Sequence, residues 1–160
     1  MAEEIKTNVM RTLEQKGIPY TPHYYEHGDE AVDGITVARS LGQDPEAVFK
    51  TLVTRGAGGG YFVFVIPVAE ELDLKKAARA VKEKSVAMIA VKELLPLTGY
   101  VRGGCSPVGM KKPFLTTFDE TATILDTICV SAGKIGSQVE VEPFALAELV
   151  GGQFADLTKE

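Results

Sequence analysis

Long apolar runs are missing from this 160-residue chain. The longest, residues 61–68, falls far short of the roughly 20 residues that a bilayer-spanning helix needs, which excludes such a helix. Cysteine is scarce. Cys105 and Cys129 are the only two, so no disulfide framework holds the fold. The first ten residues, MAEEIKTNVM, lack the apolar stretch of a secretory signal, and the expected compartment is the cytoplasm. A basic excess is also absent: the formal net charge is -5 and the pI about 5.2. Proteins that grip nucleic acid with their whole surface are usually basic, so DNA binding is not expected. Any RNA contact must come from a local basic patch and be weak and salt-sensitive. Repeats, linkers and low-complexity stretches are absent as well.

What is present is an ordinary globular mixture, 45% hydrophobic and 24% charged, enough for one core without staples. The expected organisation is a single domain over residues 1–160. Ile5, Val9 and Leu13 recur at helical spacing, with Gly17 placed as a C-terminal cap. Residues 20–26 read as a strand, 28–34 as a loop and 36–41 as a short helix closed by Gly42. Asp44-Pro45 reads as a second helix start. Residues 49–55 and 61–67 form a hairpin across the glycine-rich segment 56–60. Asp73 caps a helix over 74–82, followed by a strand at 86–89. A short helix over 91–95 should stop at Pro96. Tyr100-Val101 has strand character, as do residues 114–118, 128–132 and 138–141. A last helix spans 143–150, and 154–157 suits an edge strand. Helices and strands mix without a strict alternation. The predicted fold class is α+β, a mixed, largely antiparallel and curved sheet with flanking helices.

Four segments carry candidate chemistry. Lys50 lies within Val48-Phe49-Lys50-Thr51-Leu52-Val53, and strand alternation puts it on one face with Leu52 and Thr54. It is either an edge-strand gatekeeper or a site group, and most lysines are surface lysines. Residues 99–113 hold four glycines, two prolines and the cations Arg102, Lys111 and Lys112. Paired glycines let backbone amides approach an oxygen closely, although a turn-rich connector would look the same. The spacing Gly104 to Gly109 imitates a phosphate loop. Met110 stands where its lysine belongs, and no Ser or Thr follows, so that reading fails. Residues 131–138 join two strands and suit a hairpin turn. Residues 24–28 leave a strand. His23 and His27 lack a third ligand, so no metal site and no cofactor are expected. No sequence feature pairs Cys105 with a histidine base, and Cys129 reads as core. Glu70, Glu71 and Asp73 suit a loop and a helix start rather than a catalytic pair.

Taken together these segments resemble the YbaK/EbsC family of tRNA-editing domains, related to the domain inserted in bacterial prolyl-tRNA synthetases. The resemblance covers nearly the whole chain. It rests on the order and spacing of Tyr25-Glu26-His27, Phe49-Lys50-Thr51-Leu52, Leu72-Asp73-Leu74-Lys75-Lys76, Gly99-Tyr100 with Gly103-Gly104 and Ser106-Pro107, and Ser131-Ala132-Gly133-Lys134. It implies a trans-editing deacylase for Cys-tRNA(Pro) and Cys-tRNA(Cys). By resemblance Lys50 and Thr51 are the catalytic pair. Tyr25, Gly103, Gly104, Ser106, Ser131 and Gln138 are expected to bind substrate. Arg102, Lys111 and Lys112 are expected to contact the tRNA because they flank the loop that carries the proposed amide site. Implied partners are the mischarged tRNA acceptor end and prolyl-tRNA synthetase. Two departures stand out. No aromatic residue occurs over 28–36, where the family has one in its pocket, and Gln138 stands near a family acid.

The implied mechanism lets the substrate's own thiol attack its ester carbonyl, leaving a cyclic thiolactone and needing no protein nucleophile. Water attack on another small residue such as alanine would use the same pocket. The rival reading is a non-catalytic module of the same fold that binds tRNA ends or a synthetase. A metal-dependent phosphate-ester enzyme ranks last, for want of a ligand cluster.

Overall fold

The computed structural model describes residues 4–28 and 31–160. Among these described residues, two sheets are built from eight strands, with five α-helices around them. The chain begins with α1 (Asn8–Gln15), where Thr7 accepts the Met10 N–H as N-cap. Gly17, in the left-handed region, closes α1 and turns the chain into β1 (Tyr20–Tyr24). Helix α2 (Gly34–Ser40) starts on an Asp33 cap. Its Gly34 sits so close to Val68 that an added Cβ would lie 2.3 Å from that side chain.

The hairpin is β2 (Phe49–Gly56) and β3 (Tyr61–Pro67), in the register Lys50↔Ile66 and Thr51↔Val65. Next come α3 (Leu74–Ala80), β4 (Val86–Met88), α4 (Val91–Thr98), β5 (Leu115–Asp119) and a 3₁₀ turn at Glu120–Ile124. The chain finishes with β6 (Ile128–Ser131), β7 (Ser137–Val141), α5 (Pro143–Val150) and β8 (Gln153–Ala155). One sheet has the order β1-β7-β6 and the other β4-β2-β3-β5-β8. The pairings β3–β5 and β5–β8 are parallel and the rest antiparallel, the mixed α+β arrangement that the sequence predicts.

Strand β3 explains the apolar run of the sequence. Val63, Phe64, Val65 and Ile66 are all fully buried because both faces of this central strand are covered. Val63 and Val65 enter the main core with α1, α5 and the smaller sheet, whereas Phe64 and Ile66 pack under α3. The sheets meet at a seam. Cys129 N–H donates to Ala47 O (2.9 Å), and Val48 bridges to Cys129.

Local readings changed in three places. Asp44-Pro45 starts only a turn, in which Ala47 N–H returns to Asp44 O at 2.9 Å. The chain must be extended at Val48 to enter β2, which leaves no room for a helix. Helix α4 runs through Pro96 to Thr98. The proline forfeits one backbone bond in the second half of this short helix, and Gly99 then ends the helix with its N–H on Leu95 O. Tyr100-Val101 is not a strand. Thr98 Oγ1 takes the Tyr100 N–H and Val101 O takes the Gly104 N–H, which makes a turn.

Candidate active site

Strand β2 enters the sheet with its first residues unpaired on the side away from β3, since β4 reaches only Thr54 to Gly56. Beside that opening lies a pocket of about 120 Å³. Tyr25, Lys50, Thr51, Gly103, Ser131 and Gln138 all line it, from five separate stretches of the chain. Val37, Phe49 and Cys105 complete the wall.

Each of these residues is held by local structure. Tyr25 is buried, with its N–H on Gly136 O at 3.0 Å. Gly103 adopts φ +87°, and an added Cβ would stand 2.6 Å from the Ala31 Cβ, so only glycine fits there. The loop that carries Gly103 is braced from within. Tyr100 Oη donates to Val108 O, and Ser106 Oγ accepts the Val108 N–H at 3.2 Å. Ser131 Oγ accepts the Gly133 N–H at the start of the β6–β7 turn. Gln138 is buried, and its Oε1 accepts from Gln43 Nε2 at 2.8 Å.

The electrostatics set apart one pair of neighbours. Lys50 is half-buried, and burial holds its ammonium below the ordinary lysine value, with Glu71 and Glu70 partly offsetting this. Among the described residues no carboxylate lies within ion-pair distance of it. Thr51 Oγ1 is buried without a hydrogen-bond partner among the described residues, a costly arrangement for a hydroxyl. Cys105 faces the pocket, but burial pushes its thiol up to about 12. It is neutral near pH 7, and neither His23 nor His27 lines the pocket to activate it.

Other residues expected at the site lie elsewhere. Gly104 is behind the wall, packed on Lys134 and Ile135, and its N–H is used by Val101 O at 3.0 Å. Only Gly103 can offer an amide from this pair. Ser106 is fully buried and works as a loop brace. Arg102 is exposed outside the pocket. Lys111 and Lys112 are exposed too, but they border different grooves, Lys111 beside Gly133 and Lys134, and Lys112 beside Thr12 and Pro113. His27 packs against Gly136 and is not a member of the group formed by His23, Cys129 and Glu140. Sequence reasoning missed Gln43, which reaches Gln138 from 95 positions away, a distance no local pattern reports. Phe49 could have been found, because it shares a strand face with Thr51.

The sequence model of the aminoacyl-tRNA editing domain matches residues 30–149. A protein of Enterococcus faecalis, EbsC, named as a candidate Cys-tRNA(Pro)/Cys-tRNA(Cys) deacylase, is 48% identical over 96% of this chain and 93% of its own. A crystal structure described as a candidate trans-editing enzyme for prolyl tRNA synthetase superposes with a TM-score of 0.80, at 26% identity over 95% of both chains. The hypothetical protein APE2540 shares the fold with a TM-score of 0.83, at 22% identity over 94% of this chain and 99% of its own. The chain belongs to the aminoacyl-tRNA editing domain family and is an aminoacyl-tRNA deacylase.

Proposed function

We propose that this deacylase clears Cys-tRNA(Pro) and Cys-tRNA(Cys), with Lys50 and Thr51 as its working pair and the whole chain serving as one editing domain. The observation that carries this reading is their setting. Lys50, whose ammonium has no ion pair among the described residues, and its neighbour Thr51 both line one pocket of about 120 Å³. Such a volume suits a small side chain. The EbsC relative carries the same substrate pair in its name.

An aminoacyl ester is already activated, so positioning and charge stabilisation suffice. Lys50 holds the terminal nucleotide or polarises the ester carbonyl, and the Gly103 N–H faces the developing oxyanion. The substrate sulfur attacks the carbonyl carbon and the ester C–O bond breaks. The thiol proton passes to the departing ribose oxygen, and a thiolactone remains. Neutral Cys105 and Cys129, both pushed up to about 12, fit a reaction without a protein thiolate. The partner is the mischarged acceptor end, with prolyl-tRNA synthetase as the associated enzyme and the cytoplasm as the compartment.

Gln138 favours a second substrate. An amide in place of an acid, with no aromatic over residues 28–36, leaves room for alanine attacked by water. A panel of aminoacyl-tRNAs incubated with purified protein separates the readings. Cys-tRNA(Pro) should be cleaved faster than Pro-tRNA(Pro), with a thiolactone released. Cleavage of none would leave a binding module.

A further inference from the structure

Behind the pocket, Gln43 Nε2 reaches Gln138 Oε1 (2.8 Å) and the Cys129 sulfur (3.7 Å). Cys129 belongs to a second polar group. Three adjacent strands each contribute one member to the same face of the small sheet. Cys129 on β6 stands opposite Glu140 on β7, and His23 on β1 is diagonal to Glu140, through the pair His23↔Gln138. His23 Nε2 is 2.8 Å from Glu140 Oε1. One ligand atom from each of the three residues lies within 4.8 Å of the others.

We propose that His23 Nε2, the Glu140 carboxylate and the Cys129 sulfur bind a zinc-like divalent cation, with water in the fourth position. Bonds to such an ion are about 2.0–2.3 Å, so tetrahedral ligand atoms stand roughly 3.5 Å apart, a small adjustment from this spacing. One thiol, one imidazole and one carboxylate suit zinc and not magnesium or calcium, which take oxygen ligands. Outer partners are already placed. The Thr127 hydroxyl donates to Glu140, and the Gln43 amide donates to the Cys129 sulfur. The His23 and Glu140 side chains are 28% and 35% exposed, which gives the ion a route in while the sulfur stays buried. On binding, the Cys129 thiol proton leaves to solvent and no redox step is involved. The ion would clamp β1, β7 and β6 at the seam where Ala47 and Val48 meet Cys129. Through Gln43 it would also steady the Gln138 wall of the pocket.

The test uses the full chain, freed of metal by chelation and titrated with cobalt(II) and then zinc(II). One equivalent of cobalt should give a sulfur-to-cobalt charge-transfer band that zinc abolishes. Cys129→Ser should remove the band, Cys105→Ser should keep it, and His23→Gln should weaken zinc binding at least tenfold. No band in the wild-type chain, or a band that survives Cys129→Ser, overturns the proposal. Should Cys129→Ser fail to fold, unchanged zinc affinity in His23→Gln overturns it instead. These readings need no tRNA, so they stand apart from the outcome for deacylation.

Discussion

Lys50 combines a charge that no carboxylate pairs among the described residues with a stem that the fold half buries. Truncation to alanine removes the ammonium and some methylene packing, while no buried partner is left stranded. Lys50→Ala is therefore expected to lose deacylation by at least a hundredfold and to change stability by no more than about 1 kcal/mol. Single-turnover assays on Cys-tRNA(Pro), beside a thermal melt, check both. A large stability loss would make the lysine structural. Cys105→Ser makes the contrasting case, because a thiol pushed up to about 12 is not a nucleophile near neutral pH. That variant should keep turnover within about tenfold of wild type and form no trapped acyl-enzyme, as read by mass spectrometry. Much of the candidate pocket's lining was legible at this scale, because Lys50-Thr51 and the glycine loop are contiguous and chemically unusual. Gln43 was not, since its meaning depends on a contact with Gln138 that exists only once β7 lies beside the α2–β2 connection. Gly104 misled for a related reason. Sequence shows that an amide exists, and only the fold shows that Val101 O already holds it.

Elements were legible wherever their punctuation is local. Asp73 announces α3, and Pro143 with Gly151 brackets α5, because cap and stop act within a turn. Pro96 misled because the helix continues for only two more residues to Thr98, so a single lost bond near its end is tolerated. The parallel pairings of β3, β5 and β8 were out of reach, since no local signal marks which distant strand comes alongside. Asp73 is testable through its cap. Its carboxylate accepts the Lys75 and Lys76 N–H groups, the latter its main stabiliser, and lies below its ordinary value of 3.8. A depressed folded pKa means that this contribution is complete above the unfolded value. It fades as pH falls through the folded one. Asp73→Ala should lower the melting temperature by a few degrees at pH 7, and the difference should shrink in strong acid. Asp73→Asn, itself a good cap, should recover most of the loss at neutral pH. The β6–β7 turn allows a sharper test. Gly136 has φ +99°, and an added Cβ would lie 2.4 Å from the His27 ring. Gly136→Ala should destabilise by about 1–3 kcal/mol in a denaturant melt, the cost of a strained backbone.

At the scale of the whole molecule, an acidic protein must approach a polyanion, and its net charge of -5 opposes that approach. The cations around α3 give limited help. Lys76 is taken by Asp156 at 3.0 Å and by Thr158 O at 2.8 Å, so it fastens the C-terminal segment to the helix. Lys75, Arg79 and Lys84 border a separate groove of about 370 Å³ that is shared with Glu83. The glycine-loop lysines divide as well. Lys111 borders a groove with Gly133 and Lys134, next to the turn whose Ser131 lines the pocket, while Lys112 turns toward α1 at Thr12. A single-stranded acceptor end seated at Lys50 would therefore pass Lys111 and Lys134 before Lys112. Each phosphate contact contributes about 0.7 to the slope of log affinity against log salt for a single strand, so two or three contacts give a shallow dependence. Lys111→Glu should lower kcat/KM on Cys-tRNA(Pro) several-fold and reduce that slope by roughly 0.7, whereas Lys112→Glu should do much less. On the proposed function, affinity this weak would leave the choice of tRNA to a partner, and added prolyl-tRNA synthetase should then sharpen selectivity without changing the slope of the isolated protein. Tight, tRNA-selective binding by the protein alone would contradict the charge argument. Equal losses from Lys111→Glu and Lys112→Glu would move the acceptor end off the Lys111–Lys134 groove.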